Sequence, residues 1–502
     1  MKIRYSISLL VAGVVSTLLD AEFFSIPSPG TDITAFLGPR LSSNAAIILP
    51  NQPNWANASA RWQGYSIPTY QAVVEVSTEK DIQQTILFAN NHSIPFIAIG
   101  GGHGYTTTMG RMKNGIGISL KRMKTIELDK NNNTAHFGPG LTNGEVLRGL
   151  EALGKRTATG NCECAGLGGL LLGGGKGLLQ GRFGLVADNL VEARVVLANG
   201  SAITASINSN TDLFWALKGA GHNFGIVSEF HQRIYSSEPE EKWVVTESFF
   251  TQDKLEILVQ IMNGLLDNGK TPYPVGLATF LGFMRSPERD STKAVLRLLL
   301  IHPGSKKEAA RLLQPFDSIT PISRQTSVTK YTGVVKIIGV SDDGPGCRPP
   351  GARHSLPISL LSYNVDAMRE AYTIFNNYTA QHEELSKSAV LFEGYSTQAV
   401  RAVAEESTAV SDRQFNILVG NFVHHSAAAI VAVEPAYLYG RKIRDVLFAG
   451  SGLGRLPAYV NYAYGDETVE QIYGDGWRME KLRRLKKEYD PSERFNFYNP
   501  IV

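Results

Sequence analysis

The chain has 502 residues, with 49 basic and 46 acidic side chains, a net charge of +3 and 43% hydrophobic residues. That composition excludes wholesale disorder and a multi-span membrane protein, and so even a charge balance gives no electrostatic case for nucleic acid. Length alone suggests about three domain-sized units. Glycine is the outlier, 49 residues or about 10% against an average near 7%, and its copies are clustered.

Lys2 and Arg4 precede an apolar run, Ile7–Leu19, that Asp20 and Ala21 close. The run is shorter than the roughly 20 residues of a membrane span and reads as a secretory signal peptide, residues 1–21. Asn57, Asn91, Asn132, Asn199 and Asn377 head glycosylation sequons. Of three cysteines, one must lack a cysteine partner in an oxidising compartment. Residues 22–66, rich in Pro, Asn and Ser, read as an irregular lead-in. From 67 to 238 short strands, glycine turns and short helices alternate. Phe96–Ile99, Gly115–Leu120 and Thr125–Leu128 are strand candidates. Thr142-Asn-Gly-Glu145 is a capping box opening a helix that Gly154 stops. Val191–Leu197 and Ala202–Ala205 flank the hairpin signal Asn199-Gly200. Residues 239–455 carry longer strands and fewer glycines, and Asp342–Gly351 reads as a loop within them. Trp477–Glu488 is a helix stopped by Asp490-Pro491. Segment 456–502 would return to the first domain, giving one domain interrupted by a second.

Gly100-Gly101-Gly102-His103-Gly104 follows a strand, where missing Cβ atoms let backbone N–H groups approach an anion. No clear helix follows, so a Rossmann fingerprint is disfavoured, and no Gly-Lys-Ser/Thr makes a phosphate loop. A denser cluster spans Gly160, Gly166, Gly168, Gly169, Gly173, Gly174 and Gly177. It suits an extended cradle for a flat anionic cofactor. Two tight turns in a β-rich domain would use the same glycines. Cys162-x-Cys164 has no second Cys/His pair to complete a zinc site, and no metal is expected.

Several motifs occur together and in order: Gly101-Gly-His103; Gly160-x-Cys162-x-x-x-Gly166-x-Gly168-Gly169; Gly173-Gly-Gly-x-Gly177; Phe183–Asn189; Asp212–Ala216; Asn223-Phe-Gly-Ile226-Val227; Tyr459-Val-Asn461-Tyr462; and Lys487-x-Tyr-Asp-Pro491. With them the chain resembles the FAD-linked oxidoreductases of the berberine bridge enzyme-like group, within the vanillyl-alcohol oxidase/PCMH flavoprotein superfamily. The resemblance implies an α+β fold: a PCMH-type FAD-binding domain of two α+β subdomains, and an α+β substrate domain with an antiparallel sheet. It implies FAD attached twice, through His103 to the 8α carbon and Cys162 to C6, with Cys164 open as an alternative. Tyr462 matches the catalytic base, which needs its pKa of ~10 lowered to work near neutral pH, and Asn461 matches a flavin contact. On a strand, Tyr459 and Asn461 would share one face and Tyr462 take the other. A second polar group is sought near Arg413 and Phe415–Val423, with neither Asn416 nor Asn421 assigned, and His424-His425 is read as rim or structure. Leu170 stands where the family often has histidine. Leu167 stands where a smaller residue accompanies reaction with O2, which leaves O2 or another acceptor open.

The reading is therefore a secreted FAD-dependent oxidoreductase that takes a hydride from a small organic substrate, an alcohol or a secondary-metabolite intermediate. A secreted carbohydrate oxidase forming lactones is the alternative enzyme, and a flavin- or ligand-binding glycoprotein without turnover is the alternative of another class.

Overall fold

The computed structural model describes residues 29–238, 240–348, 351–426 and 433–502; the expected signal peptide lies outside them. The lead-in is more ordered than its composition suggests. Pro29–Leu37 is helical, Trp55–Ala58 is a helical turn, and strand β1 (Ala46–Ile48) joins the first sheet. That sheet runs β1, β2 (Tyr70–Glu75), β4 (Gly115–Ser119), β3 (Phe96–Ile99). Its β2–β4 and β3–β4 pairs are parallel, whereas β1 is antiparallel to β2. Parallel neighbours need a crossover, supplied between β2 and β3 by the helix Glu79–Asn91. Thr78 and Asp81 cap that helix reciprocally, and Ile82, Ile86 and Ala89 bury its inner face.

Strands β5 (Ile126–Leu128), β6 (Thr134–Phe137), β7 (Lys155–Arg156), β8 (Leu190–Val196), β9 (Ala202–Ser206), β10 (Ile226–Arg233) and β11 (Tyr235–Ser236) follow. Five of them form an antiparallel sheet in the order β5-β6-β10-β8-β9, and β7 pairs with β11. The Asn199-Gly200 hairpin forms as expected, with Gly200 at φ +81°. The helix Asn143–Ala152 has its Thr142–Glu145 capping box, and Gly154 adopts φ +66° beyond it.

An eight-stranded antiparallel sheet is built from β12 (Trp243–Phe250), β13 (Ala278–Met284), β14 (Val295–Pro303), β15 (Ser323–Thr329), β16 (Ala352–Ser355), β17 (Ile358–Leu360), β18 (Ala389–Tyr395) and β19 (Ile417–His425). Its order is β15-β12-β14-β13-β18-β19-β16, with β17 also on β19. The helices Leu255–Leu265, Val365–Gln381 and Val433–Ser451 pack beside it, burying Leu258, Phe375 and Ile443 among others. The other face of its central strands looks onto the glycine clusters.

The C-terminal helix Trp477–Tyr489 returns the chain to the first region. Lys486 Nζ, 5% exposed, reaches Asp490 Oδ2 at 2.6 Å and the carbonyls of Asn223 and Phe495 at 3.0 and 2.8 Å. Ile501 N donates to Asn223 Oδ1 at 2.9 Å. No described helix is long and apolar enough to cross a membrane.

Candidate functional site

The two glycine clusters meet. A Cβ on Gly101 would lie 2.2 Å from Gly166 N, so only glycine lets the two backbones touch. Around this contact lies a cavity of about 440 Å³ lined by Gly100, Gly101, Gly102, His103, Gly104, Gly166, Gly168, Gly169, Ile226 and Val227. Such a volume is typical of cofactor and ligand sites. The backbone N–H groups of Gly101, Gly102, His103 and Gly104 have no acceptor among the described residues. One buried side-chain donor, Arg61 Nε, also lacks a partner beside the cavity. Unpaired buried donors are costly unless a ligand satisfies them, and these fit an anionic dinucleotide whose flat ring packs on apolar walls.

His103 and Cys162 both line this space, and their ligand atoms lie within 4.8 Å of each other. The His103 ring stacks on Trp62 at 4.8 Å, and the Arg353 guanidinium packs on that indole at 3.8 Å. Burial, reinforced by Arg353 and Arg61, lowers the His103 pKa to about 3, so the ring is neutral with a free nitrogen lone pair. Burial pushes the Cys162 thiol up to about 11. Cys164 does not compete with it. Cys164 is joined to Cys347, Cα–Cα 5.8 Å, and Cys162 is the free cysteine. The segment is a turn rather than a strand, so alternation did not decide the matter. The disulfide ties the second glycine cluster to the 341–348 loop across 183 residues. Cys347→Ser is expected to lower stability by about 2–5 kcal/mol, read as a lower unfolding midpoint under non-reducing conditions.

Gly173, Gly174, Gly177 and Asn189 do not reach the cavity. The Asn461 Oδ1 lies 2.2 Å from where a Gly173 Cβ would sit, and Thr159 O lies 2.0 Å from that of Gly177. Gly174, at φ +98°, packs on Val410. Asn189 is fully buried and holds a turn, donating to Phe183 O and Leu185 O at 3.1 and 2.9 Å and accepting from Tyr235 Oη at 2.8 Å. These residues shape the scaffold. Leu170 lines the cavity, whereas Leu167 is fully buried in the core and does not.

Residues 459–462 form a turn, closed by Tyr462 N donating to Tyr459 O at 2.9 Å, so strand alternation does not apply. Tyr459, Asn461 and Tyr462 all face the cavity. Asn461 Nδ2 donates to Leu170 O and Tyr459 Oη at 2.9 and 2.8 Å. Tyr462 Oη donates to Glu393 Oε1 at 2.9 Å. Tyr395 Oη donates to the other carboxylate oxygen, and Asn161 Nδ2 donates to Tyr395 Oη at 2.7 Å. Tyr462 therefore faces a carboxylate, not a positive charge. Burial first, then Glu393, raises its pKa well above 10, the opposite of what a tyrosinate base needs. Burial likewise raises the Glu393 carboxyl, although both tyrosines and Lys176 pull it down.

Glu393 is the residue that sequence reasoning missed. Its signal was an acid at the centre of the apolar strand Ala389–Tyr395, on the face shared with Leu391 and Tyr395. Neither asparagine considered on the next strand supplies the second polar group. Asn416 donates to Leu361 O and Asn421 to Gly440 O, both away from the cavity, and Arg413 pairs with Asp188. His424 and His425 point apart as expected: His424 lines the cavity, and His425 Nε2 lies 2.8 Å from His354 Nε2.

Residues 70–206 match the family described as FAD binding domain, and residues 458–502 the family described as berberine and berberine like. An FAD-linked oxidoreductase of Penicillium rubens is 36% identical over 469 residues, covering 93% of this chain and 93% of that protein. One from Pyricularia oryzae is 38% identical over 476 residues, covering 93% and 91%. The fold is similar to that of a chitooligosaccharide oxidase, with a TM-score of 0.80, 20% identity and coverage of 93% and 99%. It is equally similar, at 0.80 with 21% identity and coverage of 94% and 99%, to the glucooligosaccharide oxidase of Acremonium strictum, described with 6-S-cysteinyl, 8α-N1-histidyl FAD. With the glycine cradle, the cavity and these relatives in view, the chain belongs to the FAD-linked oxidoreductases of the berberine bridge enzyme-like group.

Proposed function

We propose that this enzyme oxidises a small, largely apolar organic substrate, an alcohol or secondary-metabolite intermediate, on FAD held covalently by His103 and Cys162. The observation that carries the substrate class is the wall opposite the glycine cradle. Phe280, Leu299, Leu391, Leu418 and Phe422 line most of it, with Glu393 the carboxylate among them and Arg297, Tyr395 and His424 the other polar side chains from the same strands. A largely apolar wall recognises hydrocarbon and aromatic surface better than a hydroxyl-rich sugar, which needs many paired donors and acceptors. This favours the natural-product reading over the carbohydrate oxidase.

Bound FAD supplies the hydride acceptor. The chain's part is the proton. As the hydride leaves the substrate carbon, Tyr462 Oη takes the substrate proton and passes its own to Glu393 Oε1. Because the raised tyrosine pKa disfavours a standing phenolate, the carboxylate is the final acceptor and Tyr462 the relay. The substrate proton is thereby held on Glu393. The electron acceptor that reoxidises the enzyme is O2 or another oxidant.

Secretion is supported by the Cys164–Cys347 disulfide, which suits an oxidising compartment. The asparagines of all five sequons are exposed.

The test is mass analysis of the flavin-bearing peptides, then anaerobic mixing with lipophilic alcohols and with cello- and chito-oligosaccharides. We expect a yellow acid pellet with both peptides on one FAD, and bleaching by members of the first panel alone. His103→Ala is expected to keep flavin on the Cys162 peptide; release of intact FAD from that variant on denaturation would sink the two-link reading. Bleaching by the oligosaccharides would restore the carbohydrate alternative.

A further inference from the structure

On the sheet of β5, β6 and β10, the face turned away from the flavin cavity carries a second cluster of chemistry. Phe230 looks into the cavity, so its neighbours Glu229 and His231 point the other way. His231 is register partner to His136 on β6. The two rings are 4.2 Å apart with planes 4° from parallel. Asp129, just past β5, stands against the same edge of both: its Oδ2 is 2.7 Å from His231 Nε2 and its Oδ1 3.3 Å from His136 Nε2. Thr134 Oγ1 donates to Asp129 Oδ2, fixing that carboxylate. The second nitrogen of His136, Nδ1, lies 2.9 Å from Glu229 Oε1.

We propose that Asp129, His136 and His231 bind one divalent cation of the zinc class. Two imidazoles and a carboxylate are a donor set suited to zinc or copper. All three ligand atoms lie within 4.8 Å of one another. Around tetrahedral zinc, bond lengths near 2.0–2.1 Å put donors roughly 3.3 Å apart, and the two His–Asp spacings are 2.7 and 3.3 Å. Glu229 orients the His136 ring, because accepting the Nδ1–H leaves the Nε2 lone pair toward the ion. Cross-strand neighbours Glu127 and Glu192 add carboxylates to the same face. With side-chain exposures of 31% for His136, 31% for Asp129 and 19% for His231, solvent can deliver the ion and water can fill the remaining position. The three donors come from three neighbouring strand regions, so the bound ion braces the short β5 edge behind the flavin wall. It takes no part in hydride transfer.

The experiment is calorimetric titration of the chelator-treated, flavin-loaded full chain with zinc chloride. One saturable zinc per wild-type chain is expected. Glu229→Gln should weaken it by roughly 10–100-fold, and His136→Ala, His231→Ala and Asp129→Asn should each remove saturable binding over the same range. Retained flavin absorbance shows that each variant is folded, and the wild-type titration decides even if one variant does not fold. No saturable binding by wild type overturns the proposal. So does wild-type binding in either histidine variant, which would place zinc elsewhere on the chain.

Discussion

Glu393→Gln is expected to slow anaerobic flavin reduction by roughly 10²–10⁴-fold, the range over which a positioned acid or base acts. The amide keeps the shape and its one oxygen can still accept from one of the two tyrosines, while its NH2 donates to the other; it cannot take a net proton. The yellow holoprotein should form normally, because Glu393 lies on the sheet wall, opposite the glycine cradle. The pH dependence has a definite sign. Burial holds the Glu393 carboxyl above the usual 4.5, and only its ionised form accepts the proton. Wild-type reduction must therefore fall toward acid, with its midpoint above the ordinary glutamate value, and Glu393→Gln should lose that limb. Tyr462→Phe removes the relay and should cost about 10²-fold or more while keeping the limb in whatever rate survives. If Glu393→Gln reduces its flavin at the wild-type rate with the wild-type profile, the carboxylate has no part in the proton transfer.

Arg413→Ala is expected to cost about 3–5 kcal/mol of stability, the penalty for leaving one partner of a buried ion pair alone. Its guanidinium lies 2.7 Å from Asp188 Oδ1 and 3.0 Å from Oδ2, and it also donates to Thr408 Oγ1 at 2.7 Å. The two charged side chains are only 6% and 4% exposed. Asp188 accepts from Leu185 N at 2.8 Å as well, so the pair clamps the Phe183–Asn189 turn to the chain entering β19. The double variant Asp188→Asn/Arg413→Met strands no charge and should be more stable than Arg413→Ala. Denaturant unfolding of the three proteins measures this. A loss within the ~0–1 kcal/mol of an exposed pair would show that the site is solvated after all.

The parts legible in the sequence are those that local rules govern. The capping box at Thr142, the Asn199-Gly200 hairpin and the stop at Gly154 depend on residues within a few positions of each other, and the structure has all of them. The glycine clusters also announced a backbone cradle. Which glycines face the cavity was not legible. Gly173 and Gly177 are required by the Asn461 side chain and the Thr159 carbonyl, contacts that spacing along one segment does not encode. The lead-in misled through composition: Pro, Asn and Ser concealed a strand that forms only because Tyr70–Glu75 is beside it. Reading Tyr459–Tyr462 as a strand put Tyr462 on the wrong side, because the turn that gathers the three polar groups is held by hydrogen bonds to residues nearly 300 positions away.

By itself, then, the sequence determined the α+β class, the FAD cradle, the histidine and cysteine that line it, and a cysteine count that leaves one thiol over. The glycine cradle and the odd cysteine follow from residue type and short spacing; the α+β class, the FAD and the roles of His103 and Cys162 follow from the family resemblance that the ordered motifs carry. Only the tertiary structure decided that Cys164 belongs to Cys347, that Tyr462 answers to a carboxylate 69 residues before it, and that His136 faces His231 across a sheet. Each of those pairings depends on strand register and domain docking, which arise from the packing of the whole apolar core and not from any local run of residues.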